Sequence, residues 1–235
     1  MKARASEHQK RILPSADKEI CIVGSRRLQN ELIAYYLKHE VDAKCQVYKN
    51  IRQLSLPDYT SCNDKTQLLL WDCLGKDPEE VLIELEFLGE EALSRIYLVL
   101  LNVTRDLGFE EKMVWKGVRG FFYEEDPLDQ LSKGIRTVLH GELWLSREIV
   151  TKCILEGKGR DYSSKERKSI VTPREVEILV LVASWATNEE IAEQLFISPH
   201  TVKTHLYNIF KKIDVPNRFQ AALWATKNLE RFMLK

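Results

Sequence analysis

No apolar run in this chain approaches the roughly 18 residues that a bilayer-spanning helix needs, so no membrane segment is expected. Its 35 Lys+Arg are matched by 35 Asp+Glu, which leaves no chain-wide basic field to draw in a polyanion. Any such attraction has to be local. The five cysteines (Cys21, Cys45, Cys62, Cys73 and Cys153) are odd in number and include no C-x-x-C pair, so metal spacing is absent and a disulfide framework is not expected. Buried thiols in a reducing cytosol are the expectation, and the localisation expected is cytoplasmic. There is no Ser/His/Asp order, no phosphate-cradling Gly loop and no internal repeat, and the histidines lie far apart, so an enzyme is not expected. The basic start MKARASEHQKR is followed by no apolar stretch; no signal peptide is expected, and residues 1–17 read as a loose tail.

What is present is an ordinary globular balance, 44% hydrophobic and 30% charged, over 235 residues that suit two small domains. Glu19–Gly24 is a short apolar run ending at a turn, as a buried parallel strand should be. A helix carrying Leu28, Leu32, Tyr35, Tyr36 and Leu37 follows. Residues 43–48, 67–72, 96–103 and 119–123 supply further strands. Asp77-Pro78-Glu79-Glu80 is a capped helix start leading into Val81, Leu82, Leu85 and Leu88. Asp126-Pro127 starts a helix with Leu128, Leu131, Ile135, Val138 and Leu139 inward, stopped near Gly141. Strands alternating with helices mean a parallel sheet covered on both faces, with sites at the strand carboxyl ends.

The order and lengths resemble a receiver domain. The expected class is therefore an α/β flavodoxin-like domain at 18–156, with an extended sixth helix, followed by a small all-α domain. A phospho-accepting receiver needs a carboxylate nucleophile, further carboxylates for Mg²⁺, a hydroxyl and a lysine. Asp72 ends the third strand, in the acceptor's place. Gly24 and Ser25 stand where the acidic pair belongs, Asn102 takes the hydroxyl position and Glu124 the lysine position. One carboxylate alone is a poor Mg²⁺ site, and a phosphoryl group beside Glu124 meets repulsion. The receiver reads as degenerate, without a metal, and Asp72 as a vestigial acceptor bonding local backbone N–H groups. Regulation by phosphorylation at Asp72 is the alternative.

His140-Gly141-Glu142-Leu143-Trp144-Leu145-Ser146-Arg147-Glu148-Ile149 follows, then a helix to about Leu155. An indole, a hydroxyl at a helix N-cap and an Arg in the first turn make an unusual group. A cation there opposes the helix dipole, by roughly 0.3–1 kcal/mol when exposed, unless an anion binds. The plainer alternative is a core tryptophan, a simple cap, and Glu148 as partner for Arg147. Residues 157–168 are polar and Gly-containing and read as a linker.

In the last part, 169–235, Thr172-Pro173-Arg174-Glu175 combines an N-cap Thr, Pro at N1 and an acid in the first turn. Val176, Leu179, Val180 and Ala183 follow at helical spacing. Asn188 caps a second helix to Leu195, with Ile191, Ala192 and Leu195 inward. Ser198-Pro199 opens a third through Ile213, whose stripe Val202, Leu206, Ile209, Phe210 and Ile213 must be the buried side. The opposite side shows His200, Thr201, Lys203, Thr204, Tyr207, Asn208 and Lys211, groups suited to base edges in a major groove. Lys211, Lys212 and Arg218 face only Asp214 as local counter-charge and suit phosphates. An ordinary solvated helix face is the plainer alternative.

TPRE-x-E-I-L, N-x-E-I-A-x-x-L, I-S-x-x-T-V-K-x-H and N-R-x-Q-A together resemble the signature of LuxR/FixJ-type helix-turn-helix domains over roughly 60 residues, with Trp185 where that family has a small residue or Gly. The resemblance implies a DNA-binding transcriptional regulator. It places Lys203, Thr204 and Tyr207 on base-reading positions and Thr201, Lys211 and Arg218 at phosphate contacts. The helix from Arg218 to Leu229 would pair two copies. Trp144-Leu145-Ser146-Arg147 is similar to the W-[FLMT]-[TS]-R pattern of VpsT-like biofilm regulators, the CsgD-type branch. That resemblance implies that Trp144, Leu145, Ser146 and Arg147 bind cyclic di-GMP, with Arg147 stacking on guanine and Ser146 holding phosphate oxygens. It also implies a homodimer on that ligand, with Ile154 expected at the contact or, alternatively, packed under its own domain. Double-stranded promoter DNA and RNA polymerase are the implied partners, and biofilm and extracellular-matrix genes the implied targets. A ligand-independent DNA-binding regulator remains the other alternative.

Overall fold

Strands that are apolar at consecutive positions need both faces covered, and this chain covers them with helices. The computed structural model describes residues 18–54, 66–157, 171–215 and 217–228. The expected tail at 1–17, the linker after residue 157, Cys62 and the residues beyond 228 lie outside the described residues. Strands β1 (Lys18–Val23), β2 (Lys44–Tyr48), β3 (Thr66–Asp72), β4 (Tyr97–Val103) and β5 (Val118–Tyr123) form one parallel sheet in the order β2-β1-β3-β4-β5. That order is the flavodoxin-like one.

Helices α1 (Arg27–Glu40) and α4 (Leu128–Leu139) cover one face, where Ile20, Ile22, Leu68 and Leu70 pack with Leu37, Ile135 and Val138. Helices α2 (Pro78–Arg95), α3 (Leu107–Trp115) and α5 (Arg147–Gly157) cover the other, where Val23, Leu69, Trp71 and Leu98 meet Leu85, Met113 and Ile149. Alternate residues of each strand serve opposite cores, as the two-residue period requires.

Helix α3 was not foreseen. Phe109, Met113, Val114 and Trp115 are buried, but so are Glu110 and Glu111, so no polar side remains to give the helix a period. Its carboxylates are used internally: Glu110 accepts from the Tyr123 hydroxyl at 2.5 Å and Glu111 from the Trp115 indole at 2.8 Å. Its start is marked by Asp106, whose Oδ1 accepts from the Gly108 and Phe109 amides. Among the described residues α5 is thus the fifth helix of this domain, not the sixth. Leu128, expected inward, is 54% exposed at the first position of α4, where Pro127 precedes it. Asp126 instead accepts the Tyr123 amide at 2.9 Å. Leu28, Leu32 and Tyr35 of α1 also face outward.

The second domain consists of α6 (Pro173–Ala183), α7 (Asn188–Leu195), α8 (Pro199–Ile213) and α9 (Arg218–Asn228) around a core of Ile178, Ile191, Val202, Ile209 and Ala221. The buried residues of α6 are Ile178, Leu179 and Val182, while Val176, Val180 and Ala183 are only half-buried, so its inward stripe is turned from the expected one.

Gly134 in α4 marks where the first domain's edge is fastened. A Cβ there would lie 2.5 Å from the Phe122 ring and 2.7 Å from the Trp144 indole. Gly134→Val should therefore displace that indole and lower the stability measured by urea unfolding by about 1–3 kcal/mol, with a change in tryptophan emission. An unchanged midpoint would mean that the two rings have room to spare.

Candidate nucleic-acid interface and effector segment

At the carboxyl ends of the strands, Asp72 is 4% exposed. Its Oδ1 accepts from the Leu74 amide at 3.2 Å and from Asn102 Nδ2 at 2.8 Å. A Cβ on Gly24 would fall 2.7 Å from Asp72 Cβ, so the β1 end presses directly on it. Glu124 is exposed beyond β5. The carboxylate thus has local N–H partners.

The segment after α4 adds a short sixth strand position to the sheet edge. Trp144 donates its amide to the Arg119 carbonyl at 2.8 Å and accepts from the Phe121 amide at 3.2 Å, bridging Gly120 in parallel. Its indole stacks on Phe122 with centroids 6.1 Å apart, so the core reading of this ring applies. Leu143 and Leu145 rest on the α3 side of the core. Ser146 sits at the start of α5, its Oγ accepting the Ile149 amide at 3.3 Å and its carbonyl the Val150 amide at 3.1 Å. Arg147 follows, exposed, in the first turn. Arg147, Glu148, Thr151, Lys152 and Leu155 line an open cleft of about 450 Å³. Ile154 is 36% exposed and Leu155 60%, so this face of α5 carries apolar side chains into solvent.

In the second domain each helix start has a side-chain cap. Thr172 and Glu175 form a capping box at α6, Thr187 and Glu190 another at α7, and Ser198 Oγ accepts the Thr201 amide at α8. Asn188, expected to cap α7, yields that role to Thr187, the residue with extended backbone geometry. The α8 stripe Val202, Leu206, Ile209, Phe210 and Ile213 is buried as expected. On its outer side Thr204 and Lys211 are exposed, and Thr201 and Tyr207 half-exposed. The Thr204 hydroxyl donates to the His200 carbonyl at 3.2 Å.

Two of the expected DNA contacts stand elsewhere. Arg218 is only 3% exposed; it donates to Asn188 Oδ1 at 2.9 Å and to the Ala186 carbonyl. It closes the α6–α7 turn instead of facing a phosphate. Lys203 reaches into the first domain, its Nζ 5.4 Å from the centre of the Tyr97 ring. Lys212 pairs with Glu175 at 2.6 Å rather than with Asp214.

Tyr97, at the amino-terminal edge of the sheet, organises this contact between the domains. Its hydroxyl accepts from Asn188 Nδ2 at 3.1 Å, and the Arg119 guanidinium lies 3.8 Å from its ring centre. Burial opposes ionisation of Tyr97, but Arg119, Lys203 and Arg218 outweigh it and hold the phenol below its ordinary range. Burial lowers the pKa of all three cations. Nearby, the Asn188 amide donates to the His140 carbonyl at 3.3 Å. Helix α9 is held too: Asn217 Nδ2 donates to the Val114 carbonyl at 3.2 Å and Gln220 Nε2 to the Trp115 carbonyl at 2.7 Å. The Phe219 ring meets Trp115 at 5.6 Å and Trp185 at 6.0 Å. None of these contacts was foreseen. Arg119, a charge inside an apolar strand, was the one signal of them in the sequence.

A degenerate receiver-like sheet domain joined to a capped helix-turn-helix defines a DNA-binding transcriptional regulator rather than an enzyme. The chain belongs to the luxR family of bacterial regulatory proteins, which matches residues 169–225, with a VpsT-like receiver domain matching residues 22–147. It is 34% identical over 216 residues to the CsgBAC operon transcriptional regulatory protein of Escherichia coli K12, spanning 90% of this chain and 94% of that protein. It is 41% identical over 138 residues to the probable csgAB operon transcriptional regulatory protein of Salmonella typhimurium, covering 59% of this chain and 63% of that one. Among solved structures, the regulatory domain of the master biofilm regulator CsgD aligns with 58% of this chain and 98% of its own length, at 20% identity and a TM-score of 0.46.

The geometry around Asp72 carries an expected outcome. Mg²⁺ with beryllofluoride, a phosphoryl mimic, should leave the sedimentation of the full chain unchanged, and Asp72→Asn should bind duplex DNA like the wild type. A beryllofluoride-induced dimer that disappears in Asp72→Asn would restore the acceptor reading.

Proposed function

We propose that this regulator takes cyclic di-GMP as its input, through Trp144, Leu145, Ser146 and Arg147, and answers by forming a homodimer that occupies promoter DNA. The observation that carries the reading is Arg147. It is an exposed guanidinium in the first turn of a helix, where a cation opposes the dipole until an anion arrives. The planar group can stack on a guanine while the Ser146 hydroxyl meets a phosphate oxygen. Trp144, locked to the sheet edge, fixes where Arg147 stands.

The α5 face supports the second half of the reading. A doubly charged dinucleotide seated at Arg147 lies beside the cleft that runs along Thr151 to Leu155, next to the exposed Ile154. A second copy brought to this face covers those apolar side chains. A ligand that binds only the dimer shifts the monomer–dimer balance by mass action. The dimer presents two recognition helices, in which Lys203, Thr204 and Tyr207 read bases and Thr201 and Lys211 meet phosphates. The similarity to regulators named for the CsgBAC and csgAB operons accompanies biofilm and extracellular-matrix genes as the proposed targets, with RNA polymerase as the partner at those promoters.

Sedimentation of the full chain with and without cyclic di-GMP tests the proposal. The wild type should shift to a dimer, and Arg147→Ala should weaken the ligand roughly 10- to 100-fold, as loss of a charge-assisted bond implies. Ile154→Glu should still fold but fail to dimerise. A wild-type chain that keeps its monomer mass in excess nucleotide, with no heat in calorimetry, would sink the reading and leave a ligand-independent regulator.

A further inference from the structure

Strand β2 forms one edge of the sheet, and β5 with its Trp144 bridge the other. At the β2 edge, the carboxyl ends of β1 and β2 and the start of α1 border a cleft of about 620 Å³. The carboxyl end of a parallel sheet is where ligands of such folds gather. Gly24, Ser25 and Arg27 line one side of the cleft, and Val47, Tyr48 and Lys49 the other. Asp72 stands on the β3 side of Gly24, whereas the cleft opens on the β2 side.

The rim is basic. Arg26 and Arg27 are exposed at the start of α1, whose first turn has no acidic residue and no side-chain cap. Arg27 pairs at 2.7 Å with Glu31, a carboxylate on the same rim. Lys49 is exposed opposite them, its backbone amide donating to Gln53 Oε1 at 3.0 Å. Three cations against one carboxylate, beside the amides that open a helix, favour an anion.

Asn30 points to a ligand by a separate route. Its side chain is fully buried, yet neither Oδ1 nor Nδ2 has a hydrogen-bond partner among the described residues. Buried amides are nearly always paired, and leaving one unpaired costs stability. The Nδ2 is directed at Gly24, since a Cβ there would lie 2.6 Å from it. Gly24 is itself a wall of the cleft and carries no side chain, so an oxygen in the cleft reaches this amide over bare backbone. A single glycine gives that approach, without a glycine-rich loop.

We infer that this cleft binds a small organic phosphate of about nucleotide size. The phosphoryl oxygens take the Asn30 amide, the Ser25 hydroxyl and the amides that open α1, flanked by Arg26, Arg27 and Lys49. The rest of the molecule lies along Val47 and Tyr48. Size decides against a bare ion: small-molecule sites span roughly 300–1,000 Å³, and inorganic phosphate would leave the Val47 side uncovered. This is a second ligand site, at the opposite edge of the sheet from Arg147, and it stands whether or not Arg147 takes cyclic di-GMP.

The test uses the full chain, with inorganic phosphate and adenosine 5′-monophosphate as probes and chloride at equal ionic strength as control. Backbone amide NMR should show saturable shifts at Ser25–Leu28 and Lys49 with both phosphates and none with chloride. The nucleotide should bind roughly tenfold more tightly than inorganic phosphate, through its contact with Val47 and Tyr48. Lys49→Glu, at an exposed position, should weaken the nucleotide roughly 10- to 100-fold, as loss of a charge-assisted bond implies. Asn30→Leu replaces the unpartnered amide by an apolar group of similar size. It should unfold at a temperature no lower than the wild type and lose most of the binding. Arg147→Ala should bind the nucleotide as the wild type does; a loss there would put the probe at α5 and overturn the inference. Shifts at Ser25–Leu28 no larger than in chloride, or undiminished binding in folded Lys49→Glu and Asn30→Leu, would overturn it too. Saturable phosphate shifts with no gain from the nucleoside would overturn the organic ligand and leave an inorganic anion.

Discussion

Three cations converge on one phenol ring, and the relation between the two domains depends on that arrangement. Arg119, Lys203 and Arg218 are each pushed toward lower pKa by burial beside Tyr97. Removing an ion from water costs several kcal/mol, while a cation over an aromatic face returns about 0.5–2 kcal/mol. The ring therefore tolerates the cations more than it binds them. Cohesion comes from elsewhere: the Trp115–Phe219–Trp185 chain of rings and the two side-chain amides bonded to the end of α3. For Lys203 a phosphate is a stronger partner than the face of a phenol.

The opposite edge of the sheet is closed by equally local means. Asp72 is held by a backbone amide and by Asn102, with Gly24 packed against it, so the carboxylate is buried with partners of its own. The proposed function puts the input at the flank of β5 instead, where the Trp144 bridge extends the sheet and the helix after it begins with an arginine.

Much of this was legible in the chain. The five strands were readable as consecutive apolar runs separated by helix starts, their order in the sheet only through the resemblance to a receiver, and the α8 stripe from its helical period. Thr172-Pro173 and Ser198-Pro199 announced their caps. The misses have physical reasons. Helix α3 buries its acids with its apolar residues, so it shows no period. Thr187 and Asn188 are both good caps, and only backbone geometry decides between them. Arg218 matches a motif position at which a surface role was expected, but whether a guanidinium faces a phosphate or a turn carbonyl depends on the fold around Ala186. Trp185 stood out in the sequence, and the structure explains why a Gly would suit it: its φ is +64°, the left-handed region, a cost met here by contact with Phe219. Contacts between domains were the least legible. Tyr97 in an apolar strand looks like any core residue, and its partners lie about a hundred residues away.

Neutral net charge makes the position of Lys203 consequential. A chain with 35 basic and 35 acidic residues has no long-range pull on DNA, so an α8 whose Lys203 stands over the Tyr97 ring presents little beyond Lys211 and a few hydroxyls on its outer side. In the proposed dimer, tethering two half-site contacts raises the effective concentration of the second to the millimolar range, and so supplies what charge does not.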